Sequence, residues 1–189
     1  MTGVQTCALP ILVSGGVSGA TSDLTTTTPA GGTTAFGLTT VGQNLSVTSA
    51  GAVSQTGALT VTGASNISAS GAAITLTTAA NNFTGTVTVT GAATQITDTN
   101  ALTAVLTTTG STVLTAGGNL VASGSVSGAT SDLSTTTTAG GTTAFGATTV
   151  GQNLSVTSAG AVSQTGALTV TGSTSISATG AAINLTTEI

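Results

Sequence analysis

An all-β chain wound as a parallel β-solenoid is predicted by three features: very little charge or aromatic content, a long internal repeat, and short alternating runs divided by glycine or asparagine. Of the 189 residues, 48 are threonine, and only 2% are charged and 2% aromatic. Lys, Arg and His are absent, and the acids are Asp23, Asp98, Asp132 and Glu188, for a formal net charge of -4. A disordered Ser/Thr-rich stalk is the competing class. Such a stalk usually carries many prolines, whereas only Pro10 and Pro29 occur here, and it has no reason to space its apolar residues with period two.

The long repeat comes first. Val17 to Thr78 recurs as Val126 to Thr187, with eight differences over 62 positions. The exchanges are mild, among them Thr25 to Ser134, Pro29 to Thr138, Leu38 to Ala147 and Thr75 to Asn184. The first copy holds the runs Leu45-Ser46-Val47-Thr48, Leu59-Thr60-Val61-Thr62 and Ile74-Thr75-Leu76-Thr77, and Val87-Thr88-Val89-Thr90 follows it. Each reads apolar inward, polar outward, and Val, Ile and Thr favour the pleated conformation. Strand centres recur about every seven residues, so three strands make a coil of about 22. The offset from Val17 to Val126 is close to five such coils, so the copies are expected to stack in register within a rod of roughly eight coils. A β-sandwich would need large side chains between its sheets, and the aromatics are only Phe36, Phe83 and Phe145. A narrow solenoid interior is filled by stacked Val, Leu, Ile and Ala.

The two ends differ from this pattern. Met1 to Ile11, MTGVQTCALPI, resembles the in-frame translation of a sequencing-library adapter read from a GTG start, and Glu188-Ile189 fits the opposite adapter. Residues 1–11 and 188–189 are therefore set aside. Residues 12–187 are read as one solenoid segment from a longer reading frame, with copies 17–78 and 126–187 joined by linking coils 79–125. Cys7, the only cysteine, falls in the excluded stretch, so no disulfide, zinc site or thiol nucleophile is built on it.

Composition also excludes functions. With no cationic side chain, the chain cannot neutralise phosphates, so no nucleic-acid partner is expected; polybasic docking to anionic lipid fails likewise, and no direct membrane insertion is expected. An enzyme needs a general acid, base, nucleophile or metal cluster. On the expected stacking, Asp23 and Asp132 lie five coils apart, about 24 Å at the usual strand spacing and beyond a working carboxylate pair. Asp98 is expected on another face, and each acid is expected to hydrogen-bond its own turn. Calcium-binding rolls require a carboxylate-rich nonapeptide that is missing here. Gly31-Gly32 and Gly117-Gly118 lack the Gly-Lys-Thr and helix of a phosphate loop and read as turns. No catalytic, cofactor-binding or metal-binding residue is assigned, and no cofactor is expected. The five Asn-x-Ser/Thr triplets, at Asn44, Asn66, Asn82, Asn153 and Asn184, are expected to cap turns. The stretch from Asp23 through Pro29 to Phe36, repeated from Asp132 to Phe145, lacks clean alternation. It is either an irregular coil or a protruding loop, and as a loop it is the expected place for a partner to touch.

The runs Asn81-Asn82-Phe83-Thr84-Gly85-Thr86-Val87-Thr88-Val89-Thr90-Gly91, Gln95-Ile96-Thr97-Asp98-Thr99-Asn100-Ala101-Leu102 and Gly118-Asn119-Leu120 resemble those of filamentous-haemagglutinin-like repeat proteins. That resemblance spans nearly all of residues 12–187. It implies a right-handed parallel β-helix within a very large bacterial adhesin, secreted or held at the cell surface and exported through an outer-membrane partner or as an autotransporter passenger. It also implies that host-surface or matrix glycans or proteins are bound elsewhere on the parent protein. Two alternatives stand beside this stalk. One is a Thr-rich ice-binding face built on Thr60-x-Thr62, Thr86-x-Thr88 and Thr169-x-Thr171. The step from Thr60 to Thr86 is longer than one coil, which argues against it. The other is a polysaccharide-acting β-helix enzyme fragment that lacks its site.

Overall fold

A strand that buries one face still needs a partner for every N–H and C=O along its edges, and here the partner is the strand one coil away. The computed structural model describes residues 10–29, 31–69 and 71–186. Cys7 and the rest of residues 1–9, with Glu188 and Ile189, lie outside the described residues.

Ile11 to Leu76 forms β1 (Ile11–Val17), β2 (Leu24–Thr28), β3 (Thr34–Val41), β4 (Leu45–Ser49), β5 (Val53–Gln55), β6 (Leu59–Val61), β7 (Ser65–Ala69) and β8 (Ile74–Leu76). The linking region supplies β9 (Asn82–Phe83), β10 (Val87–Gly91), β11 (Thr94–Asp98), β12 (Leu102–Thr108) and β13 (Thr112–Ala116). The second copy follows as β14 (Leu120–Val126), β15 (Leu133–Thr137), β16 (Thr143–Val150), β17 (Leu154–Ser158), β18 (Val162–Gln164), β19 (Leu168–Val170), β20 (Thr174–Ala178) and β21 (Ile183–Asn184). All pair in parallel. One sheet of 11 strands holds β1, β3, β5, β6, β8, β9, β11, β13, β15, β17 and β20, and a second sheet of 10 holds the rest. No helix among the described residues is long and apolar enough to cross a membrane.

The four alternating runs are β4, β6, β8 and β10, and their inward residues Leu45, Val47, Leu59, Val61, Ile74, Leu76, Val87 and Val89 are at most 1% exposed. The coil length differs from expectation. Thr34, Val53, Ile74, Thr94, Thr112, Leu133, Leu154 and Thr174 form one continuous line of seven steps, which gives about 20 residues per coil and about nine coils in all. Five coils carry Thr34 only as far as Leu133, whereas its duplicate is Thr143. The repeat offset is therefore five and a half coils. Leu24 lies in the second sheet and its counterpart Leu133 in the first, so the copies are half a coil out of register instead of superposed.

The half-coil arises in the linking region. Before it, a coil carries two segments on the first sheet and one on the second, as in β5, β6 and β7; after it, the double segment is on the second sheet, as in β18 and β19, with β20 on the first. The line Thr39, Leu59 to β9 has no further strand after β9, while a new line runs from Leu102 through Leu120, Thr143 and Val162 to Ile183. The coil between Thr94 and Thr112 is the shortest on its line and carries only β11 and β12.

The pairing slips between Val13 and Gly15 of β1 and between Ala122 and Gly124 of β14, where β3 and β16 each carry one extra residue. Gly124 has φ +102, and a Cβ there would collide with the Leu106 carbonyl, so the slip requires glycine at this position. Strand β1 begins at Ile11, which is buried and occupies the place of Leu120.

Threonine also lines the interior. Thr26 and Thr135 face inward with hydroxyls that meet no partner, whereas Thr137 donates to the Gly141 carbonyl at 2.6 Å, lies 3.2 Å from Ser158 Oγ and accepts from Ala159 N at 3.1 Å. Thr135→Val exchanges an unsatisfied hydroxyl for a methyl and is expected to raise stability by about 1 kcal/mol. Thr137→Val strands its partners and is expected to lower stability by about 1–3 kcal/mol. Urea unfolding midpoints at constant m would show the two valines moving in opposite directions; equal shifts would contradict the assignment.

Candidate functional site

The stretches from Asp23 to Phe36 and from Asp132 to Phe145 are not protruding loops. Strands β2 and β15 run through them, and β3 and β16 begin within them. The irregular appearance comes from Leu-Thr-Thr-Thr-Thr in β2, where threonine stands on both faces and hides the alternation. What projects is a tight turn. In the second copy Gly141 N donates to Thr138 O at 2.8 Å across Ala139 and Gly140, with φ of 49 and 77, which is the pattern of a type I′ turn. Phe36 and Phe145 are fully buried and have no surface to offer, while Pro29 is exposed at its turn.

Asp23 is exposed and serves the next coil. Its Oδ1 accepts from Asn44 N at 2.9 Å and Asn44 Nδ2 at 3.0 Å, and Asn44 Oδ1 then accepts from Ala64 N at 3.0 Å. Asp132 repeats this with Asn153 N at 3.0 Å and Asn153 Nδ2 at 2.9 Å, and Asn153 Oδ1 accepts from Ser173 N at 2.9 Å. Asn44 and Asn153 stand just before β4 and β17, but the side-chain bonds given for them run between coils, so they tie neighbouring turns together where capping of their own turns was expected. Asn66, Asn82 and Asn184 lie in strands β7, β9 and β21. Since the copies are half a coil apart, Asp23 precedes a strand of the second sheet and Asp132 a strand of the first.

Asp98 is different, being 1% exposed. It closes the inward-facing set Thr94, Ile96, Asp98 of β11, where the β9 line stops. With no strand above β9, the carboxylate takes the place of one: Oδ2 accepts from Phe83 N at 3.1 Å, and Oδ1 accepts from Asn100 N at 3.0 Å. Beside it Asn81, fully buried, exchanges amide bonds of 2.8 Å each way with Gln55 and accepts from Leu59 N at 2.9 Å. Its Nδ2 also lies 3.2 Å from the Leu76 and Thr97 carbonyls. Sequence reasoning assigned neither Gln55 nor Asn81. The available signal was that Asn81 and Asp98 fall in the region the duplication does not copy.

Outside, hydroxyls align. Thr27, Thr48, Ser68, Thr90, Thr107, Ser125, Thr149 and Thr169 form an unbroken row across eight coils of the second sheet. Beside it stand Thr25, Ser46, Asn66, Thr88 and Val105. The pairs singled out from sequence do not stack together: Thr60 lies on the first sheet opposite Thr40 and Asn82, while Thr88 and Thr169 belong to the second. Among the described residues no three His, Cys, Asp or Glu side chains gather.

With this geometry in view, comparison with known proteins gives a match to the family described as Repeats of unknown function (DUF5649), over residues 17–90 and 131–188. The chain belongs to this family. No curated protein and no solved structure matches it. The first DUF5649 match runs past the first copy to Thr90, taking in β9 and most of β10, so the family repeat includes strands that cover that copy.

Burial raises the Asp98 pKa above 3.8, outweighing the backbone N–H groups that hold it down. The folded chain therefore binds a proton more readily than the unfolded chain does between the ordinary aspartate value and the raised one. Stability from this group is fully present below the ordinary value and falls as pH rises through the raised one. Urea midpoints measured from below the ordinary aspartate value upward should decline through that window, and Asp98→Asn should flatten the decline; an unchanged slope in the variant would refute the assignment.

Proposed function

We propose that this DUF5649 segment is a non-catalytic structural spacer, the stalk or display scaffold of a large bacterial secreted or surface adhesin-like protein. The carrying observation is the ladder itself: parallel pairing continues through about nine coils, and Asp23, Asp98 and Asp132 all serve as acceptors that join or close coils. With coils about 4.8 Å apart, nine span roughly 40 Å, a rod whose length grows with each added repeat. Glycans or proteins of a host surface would be met by other parts of the parent protein, and an outer-membrane partner would export it. The resemblance to filamentous-haemagglutinin-like repeats supports this setting. Antibodies raised against the chain should label intact cells of a bacterium that encodes it; labelling only after lysis would overturn the surface reading.

The eight-coil hydroxyl row favours a second reading, an ice-binding face, because regularly spaced hydroxyls and methyls on a rigid sheet can order water. The adjoining row weakens it through Asn66 and Val105, which interrupt the hydroxyl pairs. Thermal hysteresis separates the two. The spacer reading expects none at high protein concentration, and hysteresis abolished by Thr48→Tyr and Thr90→Tyr would establish the face instead.

A further inference from the structure

The last coil repeats one whose covering is visible within the same molecule. Leu59, Val61, Ile67, Ile74 and Leu76 are fully buried in the first copy, whereas Ile183, the counterpart of Ile74, is 48% exposed, and Leu168, Val170, Ile176 and Leu185 are only partly buried. Between them opens a cleft of about 570 Å³ lined by Gln164, Leu168, Val170, Thr174 and Leu185, the counterparts of Gln55, Leu59, Val61, Ser65 and Leu76.

In the first copy that place is filled. Phe83 pairs with Val61, Val87 with Ser65, Val89 with Ile67, and Ile96 with Leu76. Asn81 joins Gln55 and Leu59 N by hydrogen bonds. Gln164 keeps the contact that Gln55 makes with its own turn, here to Gly166 O at 3.3 Å. Where Gln55 meets Asn81, however, Gln164 donates to Thr186 O at 2.7 Å. The family match to the first copy also extends into the covering strands, through Thr90.

We propose that the cleft is a seat for one further coil of the same repeat, of the Asn81–Asp98 type. An Asn would pair with Gln164 and Leu168 N, and a Phe would fill the space over Val170. Recognition is by strand addition: backbone ladders hold the segment, and the Asn and Phe set its register. Thr187 is the counterpart of Thr78, so the sequence of residues 81–98 appended after Ile189 falls in the same register.

The test appends that segment to the full 189-residue chain, once as it stands and once with its Phe83→Ala. The unmodified extension should raise Tm by more than about 5 °C, and the alanine version should lose most of the rise. A synthetic peptide of the same sequence, titrated into the unextended chain by calorimetry, should bind one to one and weaken at least tenfold on Phe83→Ala. Equal Tm values for the two extensions, or equal binding of the two peptides, would overturn the proposal. Head-to-tail dimers of the unextended chain that persist after extension would assign the seat to a second copy and overturn it likewise.

Discussion

The parallel ladder between neighbouring coils is the constraint on which the rest depends. Each strand is held by backbone hydrogen bonds to a neighbouring coil, and the side chains need only keep those backbones about one strand spacing apart. Small and medium residues suffice for that, and a large one is accommodated only where a strand line leaves room. Phe36, Phe83 and Phe145 are all fully buried, and each sits on the sheet that carries the double segment at its level. Aromatic scarcity is thus a requirement of the narrow interior.

The same constraint explains Asp98. A strand line cannot stop inside the stack without stranding N–H groups, and burying an unpaired donor is costly. At the end of the β9 line the Asp98 carboxylate accepts from Phe83 N, and Asn81 and Gln55 absorb the other loose ends. A polar cluster in an apolar interior would ordinarily suggest chemistry. Here each member is occupied by the backbone it closes, and together they let the solenoid shift its double segment from one sheet to the other.

Much of this was legible in the chain, and the failures have physical causes. The alternating runs from Leu45, Leu59, Ile74 and Val87 are strands with the faces expected of them, because Leu, Ile and Val against Ser and Thr give an unambiguous period. Leu24 to Thr28 is a strand too, but threonine is nearly the size of valine and tolerates either side, so its alternation leaves no mark. Coil length was misjudged because the offset from Val17 to Val126 fits five coils of about 22 as well as five and a half of about 20, and sequence alone does not show on which sheet a strand falls. The polar cluster escaped notice for a related reason: Gln55, Asn81 and Asp98 are far apart in the chain and meet only once the coil length is known.

The half-coil offset changes what duplication does to such a rod. An offset of five whole coils would place every feature of the second copy directly above the first, on the same face. With five and a half, the turn after β2 and the turn after β15 project from opposite sides, and the hydroxyls beginning at Thr25 and Thr27 on the second sheet reappear as Ser134 and Thr136 on the first. A tandem array built on this unit would present any surface feature alternately on two faces, because each unit adds five and a half coils. Two-sided presentation of this kind follows from the shift of the double segment from one sheet to the other, and removing it would take an insertion or deletion of about half a coil.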